Sequence, residues 1–211
     1  MTIASAAAVA PANRFERRKE RTRHELLAAA IRVLAARGLA ATKIADIAAE
    51  ADVGVGTFYL HFATKEALLD ALVEDTIGRL KATMDAARAA VDDPVERVRL
   101  ANAALCRFAA DNRQMFAIVF GPGAAYHDVV RRALAVFAAD LENALRDGIA
   151  RGAFVDLPTA VAAQAMVGMT CQLLAWWTER DDVPLQSLEE TMTRLALDGL
   201  RAAPAITRTG A

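Results

Sequence analysis

The sequence predicts an all-α protein, and two observations support this prediction. Apolar residues recur at the spacing of about 3.6 residues that places them on one face of a helix, and no segment shows the clear alternation of a half-buried strand. The composition is 55% hydrophobic with alanine in excess, which is typical of a folded, helix-rich chain. The 211 residues are enough for one large domain or two small domains, each with its own core.

The first predicted helix runs from about Arg17 to Arg37, and its apolar residues share one face. Gly38 follows a cation in the last turn, which is a usual place for a helix to end. A second, short helix is predicted over residues 43–50. Thr42 is its predicted N-cap, because a threonine hydroxyl can accept a hydrogen bond from a free backbone N–H of the first turn.

The third helix is predicted to begin at Gly54 and to end near Phe62. Asp52 lies in the turn before it, where aspartate tolerates a left-handed backbone. Thr64 is the predicted cap of a fourth helix, which has Glu66 in its first turn. One longer helix followed by two short helices, with a turn of three or four residues between them, indicates a helix-turn-helix.

Helical periodicity divides the third helix into two faces. Phe58 and Phe62 lie one turn apart and are predicted to face the core. A glycine lets the backbone approach a surface closely, and hydroxyl and imidazole groups suit phosphate oxygens and base edges. Val55, Gly56 and Tyr59 share the opposite, exposed face, and Thr57 and His61 lie at its edges.

The net charge of −1 conceals an asymmetry along the chain. Residues 14–66 contain ten Lys and Arg against seven Asp and Glu, and residues 14–23 alone contain six against two. A basic end joined to an acidic remainder is typical of a nucleic-acid-binding module attached to a second domain. A solvated helix face remains the alternative interpretation of the charge pattern taken alone.

The segment ERTRHELLAAAIRVLAARGLAATKIADIAAEADVGVGTFYLHFATKEALLDALVE, residues 20–74, resembles the TetR family of bacterial transcriptional regulators without a gap, and its GTFYLHFATKEALL portion is highly specific. The resemblance implies a homodimeric, ligand-responsive regulator, expected to be a repressor, that binds a palindromic double-stranded DNA operator. The sequence differs from the family's common pattern at Asp52, where Gly is frequent, at Gly54, where a Ser cap is frequent, and at Leu60, where many members have an aromatic or polar residue.

The same resemblance implies which residues bind DNA. Four arginines would form a basic arm and helix start near the backbone or minor groove, Leu60 would meet a thymine methyl or simply pack, and the others would contact phosphates or base edges. The implied residues are Arg14, Arg17, Arg18, Arg21, Thr42, Lys43, Val55, Gly56, Thr57, Tyr59, Leu60, His61 and Lys65.

Glycines and prolines divide the remaining chain into five further predicted helices. Their approximate ranges are 94–112, 114–120, 124–151, 158–180 and 184–202. The predicted domains are a flexible tail (1–13), the helix-turn-helix domain (14–66, recognition helix about 54–62), a connecting helix (67–93), an effector-binding and dimerisation domain (94–203) and a second flexible tail (204–211).

In the TetR family the last two long helices form the dimer interface. The corresponding residues here are an apolar stripe of Leu188, Met192, Leu195 and Leu200, together with the small-residue face from Val161 to Gly168. Packing within one subunit is the alternative interpretation of this stripe.

An effector cavity is expected among the C-terminal helices, because Met and aromatic side chains form adaptable apolar pockets. Few cations are expected to face it, so the predicted ligand is lipophilic or aromatic and uncharged. Ordinary core or surface roles remain the alternative for each candidate residue. The candidates are Asn102, Phe108, Phe116, Phe120, Tyr126, Phe137, Met166, Met169, Gln172, Leu173 and Trp176.

No enzyme motif is present in the sequence, and the three histidines are far apart along the chain. Cys106 and Cys171 have no metal ligands at suitable spacing, so we expect no cofactor and two reduced, buried thiols. The apolar run from Leu157 to Thr178 is predicted to be a buried helix rather than a membrane span, and the protein to be cytoplasmic. A metal-responsive regulator and a protein-binding module without specific DNA binding remain alternatives.

Overall fold

The computed structural model describes residues 14–120 and 127–200, and every regular element within them is an α-helix, which confirms the all-α class. The predicted tails at residues 1–13 and 204–211 lie outside the described residues, as does Tyr126. The helices, numbered in chain order, are α1 (Arg14–Ala41), α2 (Ile44–Glu50), α3 (Val55–His61), α4 (Lys65–Arg88), α5 (Pro94–Asp111), α6 (Arg113–Phe120), α7 (His127–Ala150), α8 (Thr159–Thr178) and α9 (Leu185–Leu200).

The chain forms two compact units that divide between Leu68 and Leu69, inside α4. The first unit contains α1, α2, α3 and the start of α4, and the second contains the rest of α4 and α5 to α9. Within the first unit α1 packs against α2, and α2 packs against α3. This is the three-helix arrangement that the helix lengths and the short turn predict.

The chain between α1 and α2 differs from the prediction. Gly38 has φ 72° and ψ 167°, so α1 is kinked there and continues to Ala41. Thr42 does not cap α2, because its buried hydroxyl donates to the Gly38 carbonyl at 2.7 Å, four residues back. Lys43 holds the N-cap position instead, and the Asp46 carboxylate accepts a hydrogen bond from its N–H at 3.0 Å.

The turn between α2 and α3 agrees with the prediction. Asp52 has φ 53°, the left-handed conformation that aspartate tolerates better than most residues. Gly54 is the N-cap of α3 and has no side chain that could complete the cap. The Thr64 hydroxyl accepts a hydrogen bond from the Ala67 N–H at 3.1 Å, which confirms the predicted cap of α4.

Two hydrophobic clusters form the core of the second unit. One joins α4, α5, α6, α8 and α9, and the other lies around Leu145 and joins α5, α7, α8 and α9. Leu188, Met192 and Leu200 are buried in these clusters because their face of α9 packs within the subunit, largely against α5. Three of the four residues of the predicted dimer stripe therefore pack within their own subunit, and Leu195 is exposed.

Helix α8 is apolar but is not a core helix. In the described part of the chain it is the one helix whose length and composition would allow it to cross a membrane, with a mean hydropathy of 1.2 over an 18-residue window. Only 11% of that window is buried, so the prediction of a buried helix is wrong for the single subunit. Leu174 and Trp177 reach the core, whereas Val161, Gly168 and Trp176 are exposed.

Both cysteines are free thiols, as predicted. Cys106 is buried and its sulfur lies 3.9 Å from the sulfur of Met192, while Cys171 is half-buried. Burial raises the pKa of the Cys106 thiol to about 12 and that of the Cys171 thiol to about 11. Both side chains therefore stay protonated and unreactive near neutral pH.

Gly148 in α7 lies under the ring of Phe154, and this contact leaves no room for a side chain. A Cβ atom at position 148 would lie 2.1 Å from Cδ2 of Phe154. We expect Gly148→Ala to lower the free energy of unfolding by about 1–3 kcal/mol, because the ring must move in a packed core. Urea unfolding measures this change.

The matched control for this substitution is Gly78→Ala in α4, where an added Cβ meets nothing within 4 Å. Alanine suits a helix interior better than glycine, so we expect the control to be stabilised by about 0.5–1 kcal/mol. Equal effects of the two substitutions would contradict the packing of Gly148 against Phe154.

Candidate functional site

Helix α3 exposes large apolar side chains on one face and buries an aromatic ring on the other. Phe58 is 0% exposed, whereas Val55, Tyr59 and Leu60 are 43%, 55% and 78% exposed. The rings of Phe58 and Tyr59 meet edge to face with their centroids 5.6 Å apart. The two faces are those expected from helical periodicity, and a concentration of exposed apolar groups on seven residues indicates a contact surface.

The other predicted residues of α3 lie where the periodicity places them. Gly56 is exposed and the space beside its Cα is open, so a flat surface can come close to the backbone. Thr57 and His61 are half-buried at the edges of the exposed face. The hydroxyl of Tyr59 has no hydrogen-bond partner among the residues that the structure describes, so it is available to a ligand.

The surroundings of His61 favour its neutral form. Burial lowers its pKa below the ordinary 6.5, and the positive charges of Lys19 and Arg23 on α1 lower it further, while Glu20 opposes them. Its Nδ1 atom is buried and makes no hydrogen bond within the described residues. The two cations of α1 were not predicted as part of the site, since their proximity to His61 depends on helix packing.

Lys65 begins α4, and its ammonium group binds the end of α1. Nζ donates to the carbonyl oxygens of Leu39 at 3.2 Å and Thr42 at 3.0 Å. An ammonium has three N–H groups, so one is left for a further acceptor. Thr42 itself is 2% exposed and its hydroxyl already donates to Gly38, so it cannot also donate to a phosphate.

The first unit carries further cations on α1 and at the start of α2. Lys43 is exposed at the start of α2, and Arg23 lies over the ring of Phe62 with Cζ 5.4 Å from the centroid. The start of α1 is helical from its first described residue, so the predicted arm residues lie on a helix. These exposed arginines are Arg14, Arg17, Arg18 and Arg21.

The second unit contains a cavity of about 450 Å³, a size typical of small-molecule sites. Helices α4 to α8 line it. The predicted effector residues that it brings together are Asn102, Phe116, Phe120, Phe137 and Met166.

The other predicted effector residues do not line this cavity. Phe108 is part of a core cluster, and Leu173 packs against that cluster. Gln172 and Trp176 are exposed on α8, and Met169 is half-buried. Tyr126 lies outside the described residues.

Charged side chains on the cavity wall contradict the expectation that few cations face it. Lys81, Arg88 and Arg97 all line the cavity. Lys81 pairs with Asp85 at 3.1 Å and with Asp140 of α7, and Arg88 pairs with Asp85. The hydrogen bonds that Lys81 donates to Asp140 and then to Asp85 raise the pKa of Lys81, and those that Asp85 accepts from Arg88 and then from Lys81 lower the pKa of Asp85.

Sequence reasoning missed these wall residues because they come from elements it treated as connectors or as plain helix. Lys81 and Asp140 are 59 positions apart, so no local pattern joins them. Within residues 14–120 and 127–200, no three His, Cys, Asp or Glu side chains lie close enough to hold a metal ion.

Two family matches cover most of the chain. Residues 26–72 match the family described as bacterial regulatory proteins, tetR family, and residues 91–200 match the one described as tetracyclin repressor-like, C-terminal domain. The second match alone covers more than half of the 211 residues.

Two curated proteins of Bacillus subtilis (strain 168) are similar over short segments, and both are described as uncharacterized HTH-type transcriptional regulators. YerO is 46% identical over 56 residues, which are 26% of this chain and 19% of that protein. YvdT is 42% identical over 53 residues, which are 25% of this chain and 27% of that protein. The matches therefore span about a fifth to a quarter of these relatives.

Solved structures share the fold over almost their whole length. The fatty acid degradation regulator FadR from Bacillus halodurans has a TM-score of 0.78 at 22% identity, over 83% of this chain and 94% of that one. FadR from Bacillus subtilis, solved in complex with stearoyl-CoA, has a TM-score of 0.75 at 22% identity, over 83% of this chain and 98% of that one. Identities this low show a shared fold alone.

The helix-turn-helix in the first unit and the helical second unit thus correspond to the two family matches, one over each part of the chain. The chain belongs to the TetR family of bacterial transcriptional regulators.

Proposed function

We propose that this regulator is a cytoplasmic, homodimeric repressor that binds a palindromic operator and releases it when a lipophilic small molecule occupies the second unit. The exposed face of α3 is the observation on which the proposal rests. Val55, Tyr59 and Leu60 are exposed there although a soluble protein usually buries such side chains. A helix of this kind fits the width of a DNA major groove.

Each part of the α3 face has a proposed partner in the operator. Leu60, the most exposed of its large side chains, would contact a thymine methyl, and Val55 would lie against another apolar base edge. Gly56 would let the backbone approach the DNA, and Thr57 would donate to a phosphate or base. Tyr59 would use its free hydroxyl in the same way.

Cations around α3 would supply the phosphate contacts that position it. Lys43 is exposed at the start of α2, and the third N–H of Lys65 remains available. The exposed arginines at the start of α1 extend this positive surface towards the backbone or the minor groove. These contacts are independent of sequence and make binding sensitive to salt.

Dimerisation is supported by the exposed faces of α8 and α9. On α8 the exposed side of the helix includes Val161, Ala165, Gly168 and Trp176, which recur at helical spacing. Leu195 of α9 is 53% exposed. A largely unburied helix with a mean hydropathy of 1.2 requires a cover in water, and a second copy of the same face supplies one.

The 450 Å³ cavity supports a ligand-responsive regulator with a lipophilic ligand. Its walls include Phe116, Phe120, Phe137 and Met166, which together form an adaptable apolar surface. One protein of similar fold, FadR from Bacillus subtilis, has been solved with stearoyl-CoA, a ligand with a long apolar chain. The ligand and the operator must weaken each other's binding by the same factor.

The proposed function is tested by sequencing the genomic DNA fragments that the purified protein retains at near-physiological salt. We expect enrichment of one palindrome, with half-sites about one helical turn or a multiple of it apart. Tyr59→Ala serves as the control protein and is expected to enrich no motif while keeping the mass of a dimer. Retention without a motif, fading smoothly with salt, would show that the first unit binds only the DNA backbone.

Lys65 and Lys43 are two lysines of the proposed phosphate-binding surface that differ in their contacts within the protein. Lys65→Met removes two hydrogen bonds to carbonyls, so we expect a loss of about 1–3 kcal/mol in the free energy of unfolding. Lys43 is exposed, and we expect Lys43→Met to leave stability unchanged. Both variants are expected to lower the slope of log affinity against log salt by about 0.9 for each phosphate that the protein no longer neutralises.

Urea unfolding and operator titrations at several salt concentrations separate the two roles of Lys65. An unchanged salt slope for Lys65→Met would show that this lysine contacts no phosphate and only binds the carbonyl groups near the end of α1. An unchanged free energy of unfolding would instead show that the hydrogen bonds from Lys65 to the carbonyl groups do not stabilise the fold.

We expect operator affinity to depend on pH through His61. The pKa of His61 is lowered in the free protein, and an approaching phosphate raises it, so binding takes up a proton. Operator affinity should therefore increase as the pH falls from the pKa of His61 in the complex towards its lower pKa in the free protein, by up to about tenfold per pH unit for each His61. Fluorescence anisotropy with labelled operator measures this slope.

His24 provides the control for this pH dependence. It is exposed and pairs with Glu20 at 3.2 Å. We expect His61→Gln to flatten the pH profile and His24→Gln to preserve it. The reverse result would assign the proton uptake to His24.

A further inference from the structure

The cavity in the second unit has an aromatic end and a charged end. Ile77 and Leu80 of α4 lie with Phe116 and Phe120 of α6 at one end. Arg88 lies at the other end. It is eleven residues after Ile77 on α4, which is about 16 Å along the helix axis. Such a cavity suits an elongated ligand with an apolar body and one polar group.

The charges on the wall are paired, with one exception. Asp85 forms ion pairs with Lys81 and Arg88, and Asp140 forms one with Lys81. Asp147, the third carboxylate on the wall, pairs with Arg151 at 3.4 Å. Arg151 also pairs with Asp92, at the shorter distance of 2.8 Å, and none of these ion pairs includes Arg97.

Arg97 is that exception. It is half-buried, and the hydrogen bonds it makes with the described residues use only Nη1, which donates to the carbonyls of Arg88 at 3.3 Å and Val91 at 3.1 Å. No carboxylate of the described chain lies within ion-pair distance of it, and its Nε and Nη2 groups have no acceptor there. A guanidinium presents such N–H groups in a planar fork that matches two oxygens of one anion.

We infer that Arg97 binds the carboxylate of an elongated apolar acid whose chain extends towards Phe116 and Phe120. The inference rests on the proposed function, since it assigns the chemical class of the ligand in the same cavity. One carboxylate balances the one unpaired positive charge of Arg97, and a fork-to-fork pair gives two parallel hydrogen bonds. A doubly charged phosphate would leave an excess negative charge beside Asp85 and Asp140.

An uncharged ligand of the same shape is expected to bind in the cavity with lower affinity. Filling the cavity removes water from Arg97, and an apolar group offers that charge no replacement. The penalty is absent when the ligand brings its own negative charge. Selectivity for the acid over the alcohol therefore depends on this one side chain.

The test compares dodecanoate with dodecanol, measured by calorimetry on the full-length protein below the concentration at which either probe aggregates. We expect the wild type to bind dodecanoate at least tenfold more tightly than dodecanol. Arg97→Gln should lose this preference and keep its affinity for dodecanol, which also shows that the cavity is still folded. Arg99→Gln is the control, because Arg99 lies exposed on the same helix and pairs with Glu96 at 3.2 Å.

Arg97→Lys tests the fork itself, since lysine keeps the charge but presents it as a point. We expect a preference intermediate between those of the wild type and Arg97→Gln.

Three results would overturn the inference. These are a wild type with no preference for dodecanoate, an Arg97→Gln variant that keeps the preference, and a protein that binds neither probe. If dodecyl phosphate binds more tightly than dodecanoate and this binding depends on Arg97, the group that Arg97 recognises is a phosphate and not a carboxylate. None of these results affects the operator selection above, so failure of the inference and failure of the proposed function remain distinguishable.

Discussion

The burial of Phe58 is the interaction on which the exposed face of α3, the proposed DNA-binding surface, depends. Helix α3 has seven residues, too few to be stable alone in water, so tertiary contacts must hold it. Phe58 is 0% exposed, and the adjacent Phe62 is buried under Arg23. Once this side is fixed, the 3.6-residue period determines which residues point outwards, and it leaves Tyr59 and Leu60 exposed.

A small polar cluster fixes the chain on the other side of the helix-turn-helix. The kink at Gly38 frees carbonyl groups near the end of α1, and Thr42 and Lys65 bind them. These hydrogen bonds join α1 to the first residue of α4, across the whole of α2 and α3. The lysine that is proposed to contact a phosphate therefore also has a structural role, and its ammonium keeps one N–H group that the carbonyl contacts do not use.

Local signals made the first unit largely predictable from the sequence. The turn residue Asp52, the cap at Thr64 and the two faces of α3 depend on neighbours within a few positions, and all were predicted correctly. Thr42 was predicted wrongly as a cap, because its hydroxyl finds an acceptor that exists only once Gly38 kinks α1. A sequence pattern shows that a hydroxyl can form a hydrogen bond and does not show which acceptor will be closest.

The second unit was less predictable because its important contacts join distant positions. Leu188 and Met192 form an apolar stripe that fits a dimer interface as well as a core, and only the packing within the subunit decides between them. The cavity depends likewise on Lys81 and Asp140, which no sequence period brings together.

Paired charges beside a cavity give little net stability, because desolvation offsets most of their attraction. The pairing of Lys81 and Arg88 with Asp85 and Asp140 has a clearer consequence for binding. It neutralises that part of the wall and leaves Arg97 as the group to which a ligand's charge can respond. The expectation of an uncharged ligand assumed a wall without cations. The structure replaces that assumption with a wall on which one cation, Arg97, has no carboxylate partner among the described residues.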